Sequence, residues 1–188
     1  PIELRTEFFD SGRCNTHARA MIGPGTWIAI HAGPTTWEGK NWSEEKWQRL
    51  IHQLVSVGWK ILLVGNPGYN LPNHLEMRGK TRVHELAGYL KACQLFCGVD
   101  SFPMHLAQAV GTPIVPLFGV TSPQFILTLG SRAFPVESDP GHEFTGARHR
   151  IHGATHVPVG SNPMDTIEVE QVFEMIDRAM NTPEVVAA

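Results

Sequence analysis

Short apolar runs and longer segments with apolar residues three and four positions apart alternate along the chain. The apolar runs predict strands at 27–31, 60–64, 95–99 and 113–118, with a further short strand near Phe134. The periodic segments predict helices at about 43–57, 84–93, 101–110 and 166–180. Regular alternation of strands and helices predicts an α/β fold, a Rossmann-like parallel sheet with helices on both faces.

Two of these helices have clear boundaries and faces. The first is capped by Ser43, ends before Gly58, and has one apolar stripe, namely Trp47, Leu50, Ile51, Leu54 and Val55. The last is predicted to have Asp165 as its cap, with an inward face made of Val169, Val172, Phe173, Ile176 and Met180. These faces predict where the helices pack on the sheet.

The first 26 residues have no clear hydrophobic period and end in Gly23-Pro-Gly25. We therefore predict that residues 1–26 are a linker or N-terminal arm and that residues 27–188 form one domain. A chain of 188 residues with 42% hydrophobic content is sufficient for a single-domain core.

The most informative stretch is 95–119, because it reads as strand, polar turn, helix and strand without interruption. The strand ends at Asp100 and Ser101, either of which can cap the following helix. Ser101, His105 and Gln108 share one predicted helix face, and the apolar residues Phe102, Leu106, Ala109 and Val110 are assigned to another. A polar face at a helix N-terminus favours an anion such as phosphate, although Ser101 as a plain cap and His105 as a surface residue remain the alternative.

A second polar loop, 32–42, follows the first strand and contains Thr35, Thr36 and Lys40. Because loops at the carboxyl ends of parallel strands share one edge of the sheet, this loop and the Asp100 turn are expected to line one crevice. The hydroxyls and the mobile positive charge of Lys40 suit a diphosphate. The alternative is an ordinary solvated loop.

Other residues at the same edge are further candidates. His31 ends the first strand and is either a ligand contact or a buried polar residue. Gly119 and Thr121 lie in the turn after the fourth strand, which is either a phosphate contact or a plain strand-to-helix turn.

Several classes of function are disfavoured. The histidines at 142, 149, 152 and 156 fit no common zinc spacing, and arginines flank one of them, so we predict no metal site. There is no G-x-G-x-x-G, Walker or G-x-S-x-G motif, which disfavours dinucleotide oxidoreductases, ATPases and α/β-hydrolases.

Charge, apolar runs and cysteine content limit the partners and the cell compartment that we expect. A net charge of −3 gives no broad attraction to nucleic acid or to an anionic membrane. No apolar run approaches the roughly 18 residues of a membrane span. Three cysteines without a C-x-x-C pair indicate free thiols and a cytoplasmic setting.

Several short motifs, in order and at specific spacing, carry a family resemblance. They are His31-Ala32, Thr35-Thr36, Lys40-Asn41-Trp42, Ser43-Glu-Glu-Lys-Trp47, Gly98-Val-Asp-Ser101, Met104-His-Leu-Ala107, Leu117-Phe-Gly-Val-Thr-Ser-Pro123 and Met164-Asp-x-Ile167. Across about 27–180 the chain resembles glycosyltransferase family 9, the ADP-heptose:lipopolysaccharide heptosyltransferases, which have a two-domain GT-B fold. The resemblance is to the C-terminal, donor-binding domain of such an enzyme.

The resemblance implies metal-independent transfer of a sugar, heptose in the family, from a nucleotide-diphospho-sugar to a lipopolysaccharide or other glycan or lipid-linked acceptor. No cofactor is implied, and the setting is the cytoplasm, with the inner face of the membrane as a narrower option. Thr35, Thr36 and Lys40 would contact the donor, with Asp100, Ser101 and His105 on the opposite wall. The resemblance also suggests Gly119 and Thr121 as donor contacts, and His31 and Asn66 are further candidates at the same edge.

The sequence departs from the family pattern at three points that bear on the expected function. Phe102 stands where the family usually has glycine. The family commonly has an acidic residue that meets the donor's ribose in the loop after the second strand, but here the loop Gly65-Asn-Pro-Gly-Tyr-Asn70 offers Asn66 and Asn70 and no carboxylate. The family's N-terminal domain, which receives the acceptor and carries the catalytic base, has no counterpart in this sequence. A freestanding, non-catalytic nucleotide-sugar-binding module is therefore the alternative function.

Overall fold

The computed structural model describes residues 13–37, 39–128, 130–139 and 162–182. Its centre is a six-stranded sheet in which every neighbouring pair of strands is parallel. The strands are β1 (Thr26–His31), β2 (Trp59–Leu63), β3 (Leu75–Glu76), β4 (Leu95–Val99), β5 (Ile114–Phe118) and β6 (Val136–Glu137). Their order is β3-β2-β1-β4-β5-β6. This doubly wound order confirms the predicted Rossmann-like fold.

Helices cover both faces of the sheet. They are α1 (Arg13–Ile22), α2 (Glu44–Ser56), α3 (Val83–Ala92), α4 (Phe102–Ala109), α5 (Pro123–Ile126) and α6 (Val169–Asn181). Alternate residues of β1 point to opposite faces, so that Ile28 and Ile30 pack with α2 and α6 while Trp27 and Ala29 pack with α1, α3 and α4. No helix in the described ranges is both long enough and apolar enough to cross a membrane.

Two tryptophans fix the end of the loop that follows β1. Trp42 and Trp47 are fully buried and meet edge to face, with ring centroids 4.9 Å apart. The Trp42 indole N–H donates to the carbonyl of Ile167, 2.9 Å away, just before α6. This contact joins the loop to the opposite end of the chain.

The structure corrects the prediction for the part of segment 1–26 that it describes. Residues 13–22 form α1, which buries Ala18 and Ile22 against α3 and is therefore no free arm. Packing is close because α3 presents Gly88, where an added Cβ would lie 2.5 Å from the carbonyl oxygen of Cys14. Residues 1–12 lie outside the described part of the chain.

The structure also corrects the predicted inward faces of α2 and α6 and the predicted start of α6. Val55 and Met180 are each 40% exposed, and Phe173 is only partly buried. Asp165 lies in a 3-10 turn, and α6 begins after Glu168, whose N–H donates to the side chain of Gln171 at 2.8 Å. Helix α6 therefore begins with a capping box at Glu168, three residues after Asp165, the expected cap.

The short elements β3 and α5 were not predicted, because two to four residues give no periodic signal. The strand expected near Phe134 is found slightly later, as β6. Ala133 forms only an isolated bridge to Ile114.

A pair of adjacent substitutions tests the face of α2. Leu54→Ala should lower the free energy of unfolding by about 2–5 kcal/mol, because it leaves a cavity in the core. The matched control Val55→Ala should change it by less than about 0.5 kcal/mol, since Val55 is partly in solvent. Urea unfolding measures both, and equal losses would show that Val55 packs as the sequence alone suggested.

Candidate functional site

A cleft of about 430 Å³ opens at the carboxyl edge of the sheet. It lies where the strand order reverses, between β1 and β4, which is the usual ligand position in doubly wound sheets. The loops after β1, β2, β3 and β4 all contribute to it. The lining residues are His31, Pro34, Thr35, Thr36, Gly65, Asn66, Gly79, Thr81, Leu86, Ser101, Phe102 and Pro103.

The cleft brings together half of the residues that the sequence singled out. Thr35, Thr36, Ser101, His31 and Asn66 line it. The other five, Lys40, Asp100, His105, Gly119 and Thr121, are not among its lining residues. Lys40, Thr121 and His105 surround the Asp100 carboxylate, and Gly119 packs its backbone beside them.

The Asp100 carboxylate accepts two short hydrogen bonds on one oxygen. The Lys40 ammonium lies 2.6 Å from Oδ2, and the Thr121 hydroxyl donates to the same atom at 2.8 Å. The Asp100 side chain is only 5% exposed and that of Lys40 12%. These contacts correct two expectations, because Asp100 links three loops rather than capping α4, and Lys40 is not a mobile charge.

Lys40 has a second partner in its own loop. Its ammonium lies 4.8 Å from the ring centroid of Trp37, a cation–π geometry. The ammonium is thus held between a buried carboxylate and a half-exposed indole. An anionic ligand that takes Lys40 as a partner has to compete with Asp100 for it.

Sequence reasoning missed Asn41, the residue that shapes this loop. Its side chain accepts from the N–H of Thr35 at 2.7 Å and donates to the Thr35 carbonyl at 2.9 Å. The carbonyl of Asn41 in turn accepts from the side chain of Asn162 at 2.8 Å. An asparagine in a loop rich in glycine and threonine was the available signal, since its amide can close a turn.

His31 is buried at the end of β1. Its Nδ1 lies 3.1 Å from the Val64 carbonyl, and a Cβ at Gly65 would collide with the ring. Burial lowers the pKa of His31 below its ordinary value of 6.5, and the hydrogen bond to Val64 opposes this only in part. The ring therefore reaches the cleft in its neutral form at pH 7.

The N-terminal end of α4 differs from the predicted face assignment. Ser101 is the N-cap residue, but its hydroxyl lies 3.2 Å from the Val99 carbonyl and makes no side-chain cap bond. Phe102 is 54% exposed, whereas Gln108 is buried and donates to Ser131 at 3.0 Å. His105 is half exposed, with Nε2 3.9 Å from Asp100 Oδ1.

Gly119 has a packing role. A Cβ at this position would collide with the carbonyl oxygen of Gly39, so the two backbones touch. The contact holds the turn after β5 against the Lys40 loop. It thereby brings Thr121 to Asp100.

Three further residues line the cleft and were not predicted from the sequence. Gly79 and Thr81 lie in the loop after β3, and Leu86 lies in α3. The turn Gly79-Lys-Thr81 just before a helix was the signal for them.

The buried thiols are unreactive, and the described histidines are not grouped as metal ligands. Burial raises the pKa of Cys93 to about 12 and also raises that of Cys97, so both thiols stay protonated at neutral pH. Within the described ranges no three His, Cys, Asp or Glu side chains are grouped as metal ligands. The histidines at 142, 149, 152 and 156 lie outside those ranges.

The Lys40–Asp100 pair can be tested by a double-mutant cycle. Lys40→Met should destabilise the fold by about 3–5 kcal/mol, because it leaves a buried carboxylate without its cation. Lys40→Met combined with Asp100→Asn should recover much of this loss, and Lys91→Met on the exposed face of α3 is the control. Additive effects in urea unfolding would show that the two side chains do not interact.

Comparison with known proteins supplies the remaining observation. The model of glycosyltransferase family 9 (heptosyltransferase) matches residues 13–145, more than half of the chain. Lipopolysaccharide heptosyltransferase 3 of Escherichia coli is 34% identical over 95 residues, which are 44% of this chain and 28% of that protein.

Two solved structures share the fold. The family 9 glycosyl transferase from Veillonella parvula has a TM-score of 0.74 at 21% identity, over 94% of this chain and 53% of that one. The Escherichia coli heptosyltransferase WaaC with ADP has a TM-score of 0.61 at 19% identity, over 82% and 44%. The chain thus spans about half the length of these structures. Since the family match runs through both walls of the cleft, from α1 past the turn after β5, this chain belongs to glycosyltransferase family 9.

Proposed function

We propose that this chain is the donor-binding domain of a glycosyltransferase that takes a sugar from a nucleotide-diphospho-sugar. The observation that carries the proposal is the cleft at the strand-order reversal, which Thr35, Thr36 and Ser101 line, in a chain of this family. Lys40 follows the two threonines in the same loop. Hydroxyls and one amine are groups that bind diphosphate oxygens.

The related proteins suggest the identity of the substrates. Those matched in sequence are named lipopolysaccharide heptosyltransferases, and one solved neighbour was obtained with ADP. We therefore propose ADP-heptose as the donor and a lipopolysaccharide core as the acceptor. We place this reaction in the cytoplasm, at the inner face of the membrane.

The charge that develops on the leaving diphosphate is the main electrostatic demand of this reaction. Lys40 would meet it by exchanging the Asp100 carboxylate, 2.6 Å away, for a phosphate oxygen. The hydroxyls of Thr35, Thr36 and Ser101 and the N-terminus of α4 would add neutral donors. These protein groups make a metal-independent reaction the simplest proposal.

Deprotonation of the acceptor needs a further part of the enzyme. Among the described residues that line the cleft none is a carboxylate, and the buried, neutral His31 has a lowered pKa that makes it a weak base. We propose that an acceptor-binding domain supplies the base, either from the same polypeptide or from a partner. A second candidate, a freestanding nucleotide-sugar-binding module, is favoured by the same observation, that the described cleft residues include no strong base.

The donor site is tested by calorimetric titration with ADP. Thr36→Val and Ser101→Ala should each weaken ADP binding by about tenfold, because each removes a hydrogen bond to a charged group. Ser56→Ala, an exposed serine at the far end of α2, should leave the affinity unchanged, and EDTA should have no effect. ADP affinity that is insensitive to both cleft substitutions would place the diphosphate elsewhere.

A transfer assay with ADP-heptose and a heptose-deficient lipopolysaccharide core tests whether this chain binds the donor while an acceptor-binding domain supplies the base. The 188-residue chain should be stabilised against heat by the donor yet show no transfer. Transfer should appear when a family 9 acceptor domain is fused to its N-terminus. Robust transfer by the chain alone would contradict the proposal, and donor binding without transfer by the fusion would favour the freestanding module.

A further inference from the structure

We propose that Phe102 is the surface on which the planar base of the nucleotide stacks, and so a residue that determines donor affinity and specificity. This inference rests on the proposed function, since it assigns a place in the same cleft to one part of the donor. Phe102 is the first residue of α4 and belongs to the cleft lining.

The exposure of Phe102 has no explanation in packing. Among the other large apolar residues of α4, Met104 is fully buried and Leu106 nearly so, whereas the Phe102 ring remains 54% exposed. Sequence periodicity assigned Phe102 to the same apolar face as Leu106, and the structure separates them. A large ring that is left in solvent at the rim of a concave site is available for a ligand.

The residues around the Phe102 ring suit the planar base of a nucleotide rather than a phosphate. Three other apolar residues line the cleft, namely Pro34, Leu86 and Pro103, and none of these can bind an anion. Asn66 and Thr81, on the loops after β2 and β3, supply neutral donors and acceptors of the kind that ribose hydroxyls and base edges need. The cleft therefore carries both surfaces that a nucleoside requires.

The fold indicates where the phosphates and the ribose of a nucleotide would lie. In doubly wound sheets the phosphates lie at the reversal of strand order, between β1 and β4 here, and the ribose lies toward the end of β2. Thr35, Thr36 and Ser101 are at the reversal, and Asn66 follows β2. Phe102 comes directly after Ser101, and its ring lines the same cleft as Asn66 and Thr81, so one bound nucleotide can contact all of them.

The opposing interpretation is that the ring obstructs the N-terminus of α4 and keeps phosphate away from it. The two interpretations predict opposite signs for removal of the ring. Stacking predicts weaker nucleotide binding, and obstruction predicts stronger binding.

The experiment is a calorimetric titration of the parent chain and of Phe102→Leu and Phe102→Tyr with ADP and with inorganic pyrophosphate, which has no base. Phe102→Leu should weaken ADP binding by about three- to tenfold, because it keeps an apolar side chain and removes the aromatic face. Phe102→Tyr should keep the parent affinity. Pyrophosphate should bind all three proteins equally, and Phe125→Leu, which removes an aromatic ring of similar exposure (51%) in α5, should not alter ADP binding.

The outcomes separate the stacking role from the proposed function. Equal losses for ADP and pyrophosphate, unchanged ADP binding or tighter ADP binding by Phe102→Leu would each overturn the stacking role and leave nucleotide binding standing. A parent chain that binds no nucleoside diphosphate would overturn both. Because Phe102 is half in solvent and leucine is a good helix former, thermal unfolding of Phe102→Leu should match the parent.

Discussion

The site is held together by the carboxylate of Asp100. It is almost fully buried, and it accepts from Lys40 in the loop after β1 and from Thr121 in the turn after β5, while it belongs itself to the turn after β4. Three separate loops thus converge on one oxygen atom. Since a buried carboxylate without partners would be costly, the positions of all three loops depend on these two hydrogen bonds.

Much of the fold was predictable because it depends on local patterns. The strand 95–99 has the predicted bounds, since an apolar run ends abruptly at a polar turn. Ser43 caps α2 as expected, with its hydroxyl accepting from the N–H of Lys46 at 3.2 Å. Helix α1 was missed for the opposite reason. It buries little apolar surface and owes its place to the small residues Ala18 and Gly88, whose effect appears only when two helices meet.

The candidate site was predictable in its location and less so in its contacts. Topology alone brought Thr35, Thr36 and Ser101 to one edge, because parallel strands point their carboxyl ends the same way. The pairing of Lys40 with Asp100 joins residues 60 positions apart, and no spacing rule reports such a contact. Phe102 was misassigned because helical periodicity gives the angle around the axis but not what covers each side of the helix.

The anchoring of the loop after β1 has a consequence for how the cleft can move. The buried indole of Trp42 fixes one end of the loop to the carbonyl of Ile167, and Asn41 is bound both to Thr35 and to Asn162. Thr36 and Trp37, in contrast, are exposed. A ligand that draws Lys40 away from Asp100 would leave the Thr121 hydroxyl as the donor to that carboxylate oxygen. It would thereby break one link between the loop after β1 and the turn after β4, while the Trp42 end of the loop keeps its hydrogen bond to Ile167.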